Sequence, residues 1–132
     1  MAYTQENCMD EVLKAVPGFQ ERWQEHVDYW EGEPAGLVLD MIELAAYTNE
    51  QLENKENNDL EAIFQLMENM LNTGSDEVKN AVATGFLESV INPVTADTEY
   101  LPLLTTLLGE KSRAYCREWL SFSGAQLPDL SA

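Results

Sequence analysis

The sequence predicts an all-α protein, with about seven helices in antiparallel pairs forming one compact bundle that includes a HEAT-like hairpin. Three observations carry that prediction. Leucine outnumbers isoleucine plus valine by 17 to 11, which favours helix over sheet because β-branched side chains lose rotamer freedom in a helix. Apolar residues recur at steps of three and four along most of the chain. No segment alternates apolar and polar residues as a half-buried strand would. The 132 residues suit a single domain over 1–132, and Leu, Ile, Val and Phe supply about a quarter of them, above the level at which charged chains stay disordered.

The first helix is expected after Thr4, a candidate N-cap, with Cys8, Met9, Val12, Leu13 and Val16 on one face and Pro17-Gly18 as its end. Phe19, Trp23, Val27 and Trp30 mark the second, whose other face carries Glu21, Glu25, Asp28 and Glu31. Glu31 to Pro34 reads as a loop, because proline opens a helix but does not continue one. Residues 35–53 form the third helix, with Leu37, Val38, Met41, Ile42, Leu44, Ala45 and Leu52 expected inside.

Asn58 with Glu61 fits a capping box for the fourth helix, which buries Leu60, Ile63, Phe64, Met67, Met70 and Leu71 and closes at Gly74. Ser75 opens the fifth, with a face of Val78, Ala81, Val82, Gly85, Phe86 and Val90 and an expected stop at Asn92-Pro93. Residues 58–74 and 75–92 thus make the HEAT-like pair. Residues 94–100 are expected to be irregular. The sixth helix runs through Leu103, Leu104, Leu107 and Leu108, with Pro102 in its first turn. After Gly109 the seventh buries Tyr115, Cys116, Trp119 and Leu120, and residues 124–132 are expected as a loosely packed tail.

Charge narrows the partners. Lys and Arg number 7 against 24 Asp and Glu, a net charge of −17. Phosphate binding needs clustered cations, so nucleic acid is excluded as the expected ligand, and anionic membrane surfaces with it. Residues 1–105 hold 21 acids and 4 bases, whereas 106–132 hold 3 of each. Lys111, Arg113 and Arg117 are therefore expected to make internal ion pairs with the acidic body. Uncompensated carboxylates elsewhere cost stability through self-repulsion unless counterions or a partner offset it.

The N-terminus has no basic stretch followed by an apolar run, and no segment has the length of a membrane span, so a cytoplasmic location is expected. Cys8 and Cys116 are expected as buried thiols rather than a disulfide. His26 is the single histidine and is read as partly exposed on its helix. No cysteine or serine is placed beside it by spacing, so a nucleophile–base pair is not expected. Glu43, Glu68 and Glu88 lie in otherwise apolar stretches and can converge, but no metal-ligand pattern accompanies them. No catalytic residue, cofactor or metal is assigned. Trp23 and Trp119 follow core stripes, while of Tyr29 and Trp30 one is expected at the surface among acids, as a protein-binding face would present it.

Val-Lys-Asn-Ala-Val-Ala-Thr-Gly-Phe-Leu-Glu-Ser-Val (78–90) and Leu-Leu-Gly-Glu-Lys-Ser-Arg-Ala-Tyr-Cys-Arg-Glu-Trp (107–119) resemble a family of small acidic all-α bacterial proteins. Proteins of this kind include immunity proteins of polymorphic toxin and contact-dependent growth-inhibition systems. The resemblance implies a non-enzymatic inhibitor, monomeric rather than homodimeric, that covers the active-site cleft of a basic toxin domain, a ribonuclease or deoxyribonuclease. The expected contact residues are Glu25, Asp28, Tyr29, Glu31 and Glu33, together with Glu50, Glu53, Glu56, Asp59 and Glu61. The alternatives are a helical adaptor for an endogenous protein and a carboxylate metalloprotein.

Overall fold

The computed structural model describes residues 2–54, 59–96 and 101–123. Among them are seven helices: α1 (Cys8–Ala15), α2 (Gln20–Tyr29), α3 (Leu37–Glu53), α4 (Leu60–Thr73), α5 (76–96), α6 (Leu101–Leu107) and α7 (Glu110–Ser123). The described residues contain no strand beyond one parallel bridge between Tyr3 and Gly74. There the Ser75 amide donates to the Tyr3 carbonyl at 2.8 Å, fastening the N-terminus to the α4–α5 corner.

Local chemistry accounts for most boundaries. The Thr4 amide donates to Asn7 Oδ1 at 2.8 Å and the Asn7 amide to Thr4 Oγ1 at 3.3 Å, a reciprocal cap on the turn that leads into α1. Pro17 starts a short 3₁₀ turn, Pro17–Phe19, which redirects the chain into α2. Gly36, at φ +104°, precedes α3 in a conformation open only to glycine, so that helix begins at Leu37 rather than at residue 35. Ser75 Oγ accepts from the Val78 amide at 3.3 Å and opens α5 as expected. The Asn58 cap and the 124–132 tail lie outside the described residues.

Helix α5 corrects one expectation. Pro93 does not stop it, and the helix continues through residue 96, leaving no irregular stretch at 94–96. A proline inside a helix orphans the carbonyl four residues back, here that of Ser89. The side-chain amide of Asn49, on α3, donates to that carbonyl at 3.1 Å and replaces the lost bond. The middle of α5, Ala81–Leu87, is wound as a π-helix, and this segment forms the largest interhelical contact among the described residues, with α3. Gly85 permits it, since a Cβ there would lie 2.7 Å from the Val38 carbonyl oxygen and 3.0 Å from Met41 Cβ.

The core fills the space between α3, α4 and α5. Met41, Leu44, Leu52, Ile63, Phe64, Met67, Met70, Phe86 and Leu87 are fully buried, and Phe64 meets Phe86 edge-on at 5.5 Å. α4 and α5 do form the expected hairpin. Ile42, expected inside, is exposed. Cys8 and Cys116 are both buried free thiols, and burial pushes each up to about 12.

Helix α7 is capped by α4 rather than by its own sequence. Glu68 accepts from the Lys111 amide at 2.8 Å, the Ser112 amide at 3.0 Å and the Ser112 hydroxyl at 2.8 Å. Tyr115 donates to Glu88 at 2.5 Å. Arg113, expected in an ion pair with the acidic body, donates to the Thr105 carbonyl at 2.5 Å. The Arg113 side chain thus ties α7 to α6.

Candidate functional site

Helix α2 lies on α3 through a polar seam set between aromatic contacts. Phe19 meets Tyr47 at 5.6 Å, and Trp23 packs 5.5 Å from the His26 ring. His26 is buried, not partly exposed, because two carboxylates of α3 face its ring: Asp40 at 2.8 Å from Nε2 and Glu43 at 3.5 Å from Nδ1. Arg22, one turn earlier on α2, bridges Glu43 at 3.3 Å and Glu50. Burial raises the Asp40 carboxyl above its ordinary range, and the hydrogen bond and charge of His26 pull it partly back.

This seam orients a helix pair rather than activating a nucleophile. Both ring nitrogens of His26 already face carboxylates. Cys8 is buried, and burial and the charge of Asp40 hold its thiol up at about 12, opposite to an activated cysteine. Glu43, Glu68 and Glu88 do not converge. Glu43 pairs with Arg22, Glu68 caps α7 and Glu88 accepts from Tyr115. Among the described residues no group of three or more His, Cys, Asp or Glu is placed to hold a metal ion.

The outer edge of the same pair has a different character. Among the described residues Tyr29, Trp30, Leu39 and Ile42 are the large exposed apolar side chains, Tyr29 at 79% and the others at 38–39%. All four line one shallow cleft of about 530 Å³ between α2 and α3, together with Arg22, Glu25, His26, Glu43 and Ala46. Both Tyr29 and Trp30 reach solvent, their rings meeting edge-on at 5.6 Å. Grouped apolar side chains left exposed and rimmed by charge mark an interaction face more often than scattered ones do.

The chain leaves α2 through a Schellman turn: the Gly32 amide donates to the Val27 carbonyl and the Glu31 amide to the Asp28 carbonyl, each at 3.0 Å. The left-handed position of that motif, usually glycine, is held by Glu31 at φ +54°. An L-residue there costs about 1 kcal/mol, and the Glu31 side chain is exposed to solvent. Replacing Glu31 by glycine is expected to stabilise the fold by about 0.5–1 kcal/mol in a urea melt. Loss of stability in that variant would show that the Glu31 side chain holds the turn.

The expected contact residues divide into two groups. Glu25 and Tyr29 line the cleft, and Asp28, Glu31 and Glu33 are exposed beside it, with Asp28 accepting from Gln24 at 3.1 Å. Glu50 joins them through Arg22, and Glu53 is exposed at the end of α3. Asp59 is half-buried and accepts from the Tyr47 hydroxyl at 2.6 Å, which makes it part of the α3–α4 connection. Glu61 lies in a separate groove of about 820 Å³ with Leu60, Phe64, Leu103 and Leu107. Glu56 lies outside the described residues. Sequence reasoning missed Leu39, Ile42 and Arg22. The signal was present in Leu39, Ile42 and Ala46, whose spacing of three and four makes a second apolar stripe on α3.

A family model described as a domain of unknown function (DUF7674) matches residues 9–124. No curated protein and no solved structure matches the chain. Among the described residues no helix is long and apolar enough to cross a membrane.

Proposed function

The chain belongs to the DUF7674 family, and we propose that it is a non-enzymatic immunity protein that neutralises a basic toxin domain, a nuclease, by covering its active-site cleft. The observation that supports this reading is the α2–α3 face, where exposed Tyr29, Trp30, Leu39 and Ile42 stand among Glu25, Asp28, Glu31 and Glu33 on a chain of net charge −17. Nuclease clefts are basic because their substrate is a polyphosphate. An acidic inhibitor is therefore steered towards the cleft during diffusion, which raises the association rate. Carboxylates at the rim take the positions of substrate phosphates, and the apolar centre supplies the desolvated contacts that slow dissociation.

The reading is tested by co-expressing the protein with the toxin gene encoded beside it. Cells are expected to survive only when this protein is present, and unprotected cells would rule the reading out. The association rate, followed by stopped-flow fluorescence, is expected to fall steeply between low and physiological salt; a salt-independent rate would remove the steering step. Reversing charge at Asp28, Glu31 and Glu33 together, each to lysine, is expected to weaken inhibition by slowing association and flattening its salt dependence. Unchanged inhibition by that triple variant would place the contact on another face.

A further inference from the structure

Helix α3 is apolar on two sides. Leu37, Met41, Leu44, Ala45, Thr48 and Leu52 form its buried stripe. Asp40, Glu43 and Tyr47 turn towards α2, with Tyr47 meeting Phe19 there. Leu39, Ile42 and Ala46 form a third stripe, roughly 140° around the axis from the first at 3.6 residues per turn. A helix that serves only to cover a core carries polar residues on that side. Here Leu39 and Ile42 are more than one-third exposed, and Glu50 and Glu53 continue the same stripe towards the helix end. The stripe borders the α2–α3 cleft, whose opposite wall carries Glu25, Tyr29 and Trp30.

We propose that this groove seats an amphipathic basic helix of the partner. Its apolar stripe lies on Leu39, Ile42 and Ala46, and its arginine and lysine side chains lie over Glu25 on one wall and exposed Glu53 beyond the apolar stretch, Glu50 being held by Arg22. The inference rests on the α2–α3 face being the binding face and goes further, by naming what enters it. The three-four spacing suits a helix, since a partner helix meets such a stripe with its own residues at the same steps. Charge decides between occupants. A second copy of this chain would bring another net −17 and its own acidic rim against Glu25, Glu31 and Glu33, whereas a basic helix relieves that repulsion. Arginine adds a further attraction, because its guanidinium stacks on exposed aromatic faces such as those of Tyr29 and Trp30.

The test uses the full chain and a fluorescein-labelled three-heptad peptide with leucine at the apolar positions and arginine at the flanking ones, followed by fluorescence anisotropy. A matched peptide with glutamate at the flanking positions is the control. The arginine peptide is expected to bind and the glutamate peptide not to. The double variant Leu39→Ser/Ile42→Ser is expected to lose at least tenfold in affinity while its circular dichroism and melting curve stay those of a folded protein, since both side chains are exposed. Equal binding by the double variant would mean attraction to the acidic body alone and would overturn the proposal, as would failure of the arginine peptide to bind. Self-association that depends on Leu39 and Ile42 in sedimentation equilibrium would make the occupant a second copy and overturn it too. Toxin protection separates this proposal from the broader reading. If the double variant protects cells as well as the wild type does, the groove proposal fails and immunity stands. If the wild type gives no protection, immunity fails whatever the peptide does.

Discussion

Gly85→Ala is expected to destabilise the protein by about 1–2 kcal/mol, the reverse of the sign that helix propensity assigns. In an exposed helix interior, alanine in place of glycine gains about 1 kcal/mol. At Gly85 the new methyl would sit 2.7 Å from the Val38 carbonyl oxygen, a backbone atom that cannot rotate aside, and 3.0 Å from Met41 Cβ. Relieving that overlap means parting α3 from the π segment of α5, the most extensive interhelical contact among the described residues. Overpacking of this kind costs about 1–3 kcal/mol, enough to outweigh the propensity gain. Gly85→Val adds two methyls beyond the Cβ of alanine and loses the propensity gain, so a loss of about 3 kcal/mol is expected. Urea melts followed at 222 nm measure both. A Gly85→Ala variant as stable as the wild type would mean that α3 and α5 can separate without cost.

Glu68→Ala is expected to cost about 3 kcal/mol. The substitution removes three charge-assisted hydrogen bonds at once and leaves the hydroxyl of fully buried Ser112 without its acceptor. A lost cap alone costs about 1 kcal/mol, and a buried polar group stripped of its partner about 1–3 kcal/mol more. The same site gives the protein an acid-sensitive element. Burial pushes the Glu68 carboxyl upward, but hydrogen bonds from the Lys111 and Ser112 amides and the Ser112 hydroxyl, with the Lys111 charge, outweigh it and leave the group below its ordinary value of 4.5. A carboxyl lowered on folding contributes stability that is fully present above the unfolded value and is lost as pH falls through the folded one. Asp40 acts in the opposite sense: raised mainly by burial, its contribution is present in acid and lost as pH rises through the folded value. Comparing wild type with Glu68→Gln across pH 3–6 isolates the first effect, because the glutamine variant lacks the titration. Parallel stability curves for the two proteins would sink the assignment.

Much of the fold was legible because helix signals are local. Periodicity marked the stripes of α4 and α5, and Ser75 opened α5 through a hydroxyl three residues from its donor. Apart from the start of α3, set locally by Gly36, the main failures turn on how residues distant in sequence meet. Pro93 looked like a stop because a proline orphans a carbonyl, and only the fold brings Asn49 to that carbonyl. His26 looked half-exposed because it sits between Glu25 and Val27 on α2 with no partner placed beside it by local spacing. Asp40 and Glu43 bury it, from the next helix. Ile42 looked internal because it is apolar, and no local rule says which of two apolar stripes on one helix meets the core.

The candidate face was half legible for the same reason. Glu25, Asp28, Tyr29, Glu31 and Glu33 were recognisable as an acidic and aromatic cluster around the end of α2, since they are adjacent in sequence. Leu39 and Ile42, which complete the cleft, come from α3. The acidic segment 50–61 looked continuous in sequence, yet the fold separates it: Glu50 goes to Arg22, Asp59 to Tyr47, and Glu61 to another groove.

By itself the sequence determined the all-α class, the approximate helix positions and the concentration of acid in residues 1–105, because backbone propensity, apolar period and formal charge are properties of the chain read residue by residue. Only the tertiary structure decided which carboxylates are tied up and which remain free at the surface, and which apolar stripe of α3 is left uncovered. Both depend on approach distances of a few ångströms between helices, and a hydrogen bond or a buried methyl exists only at those distances.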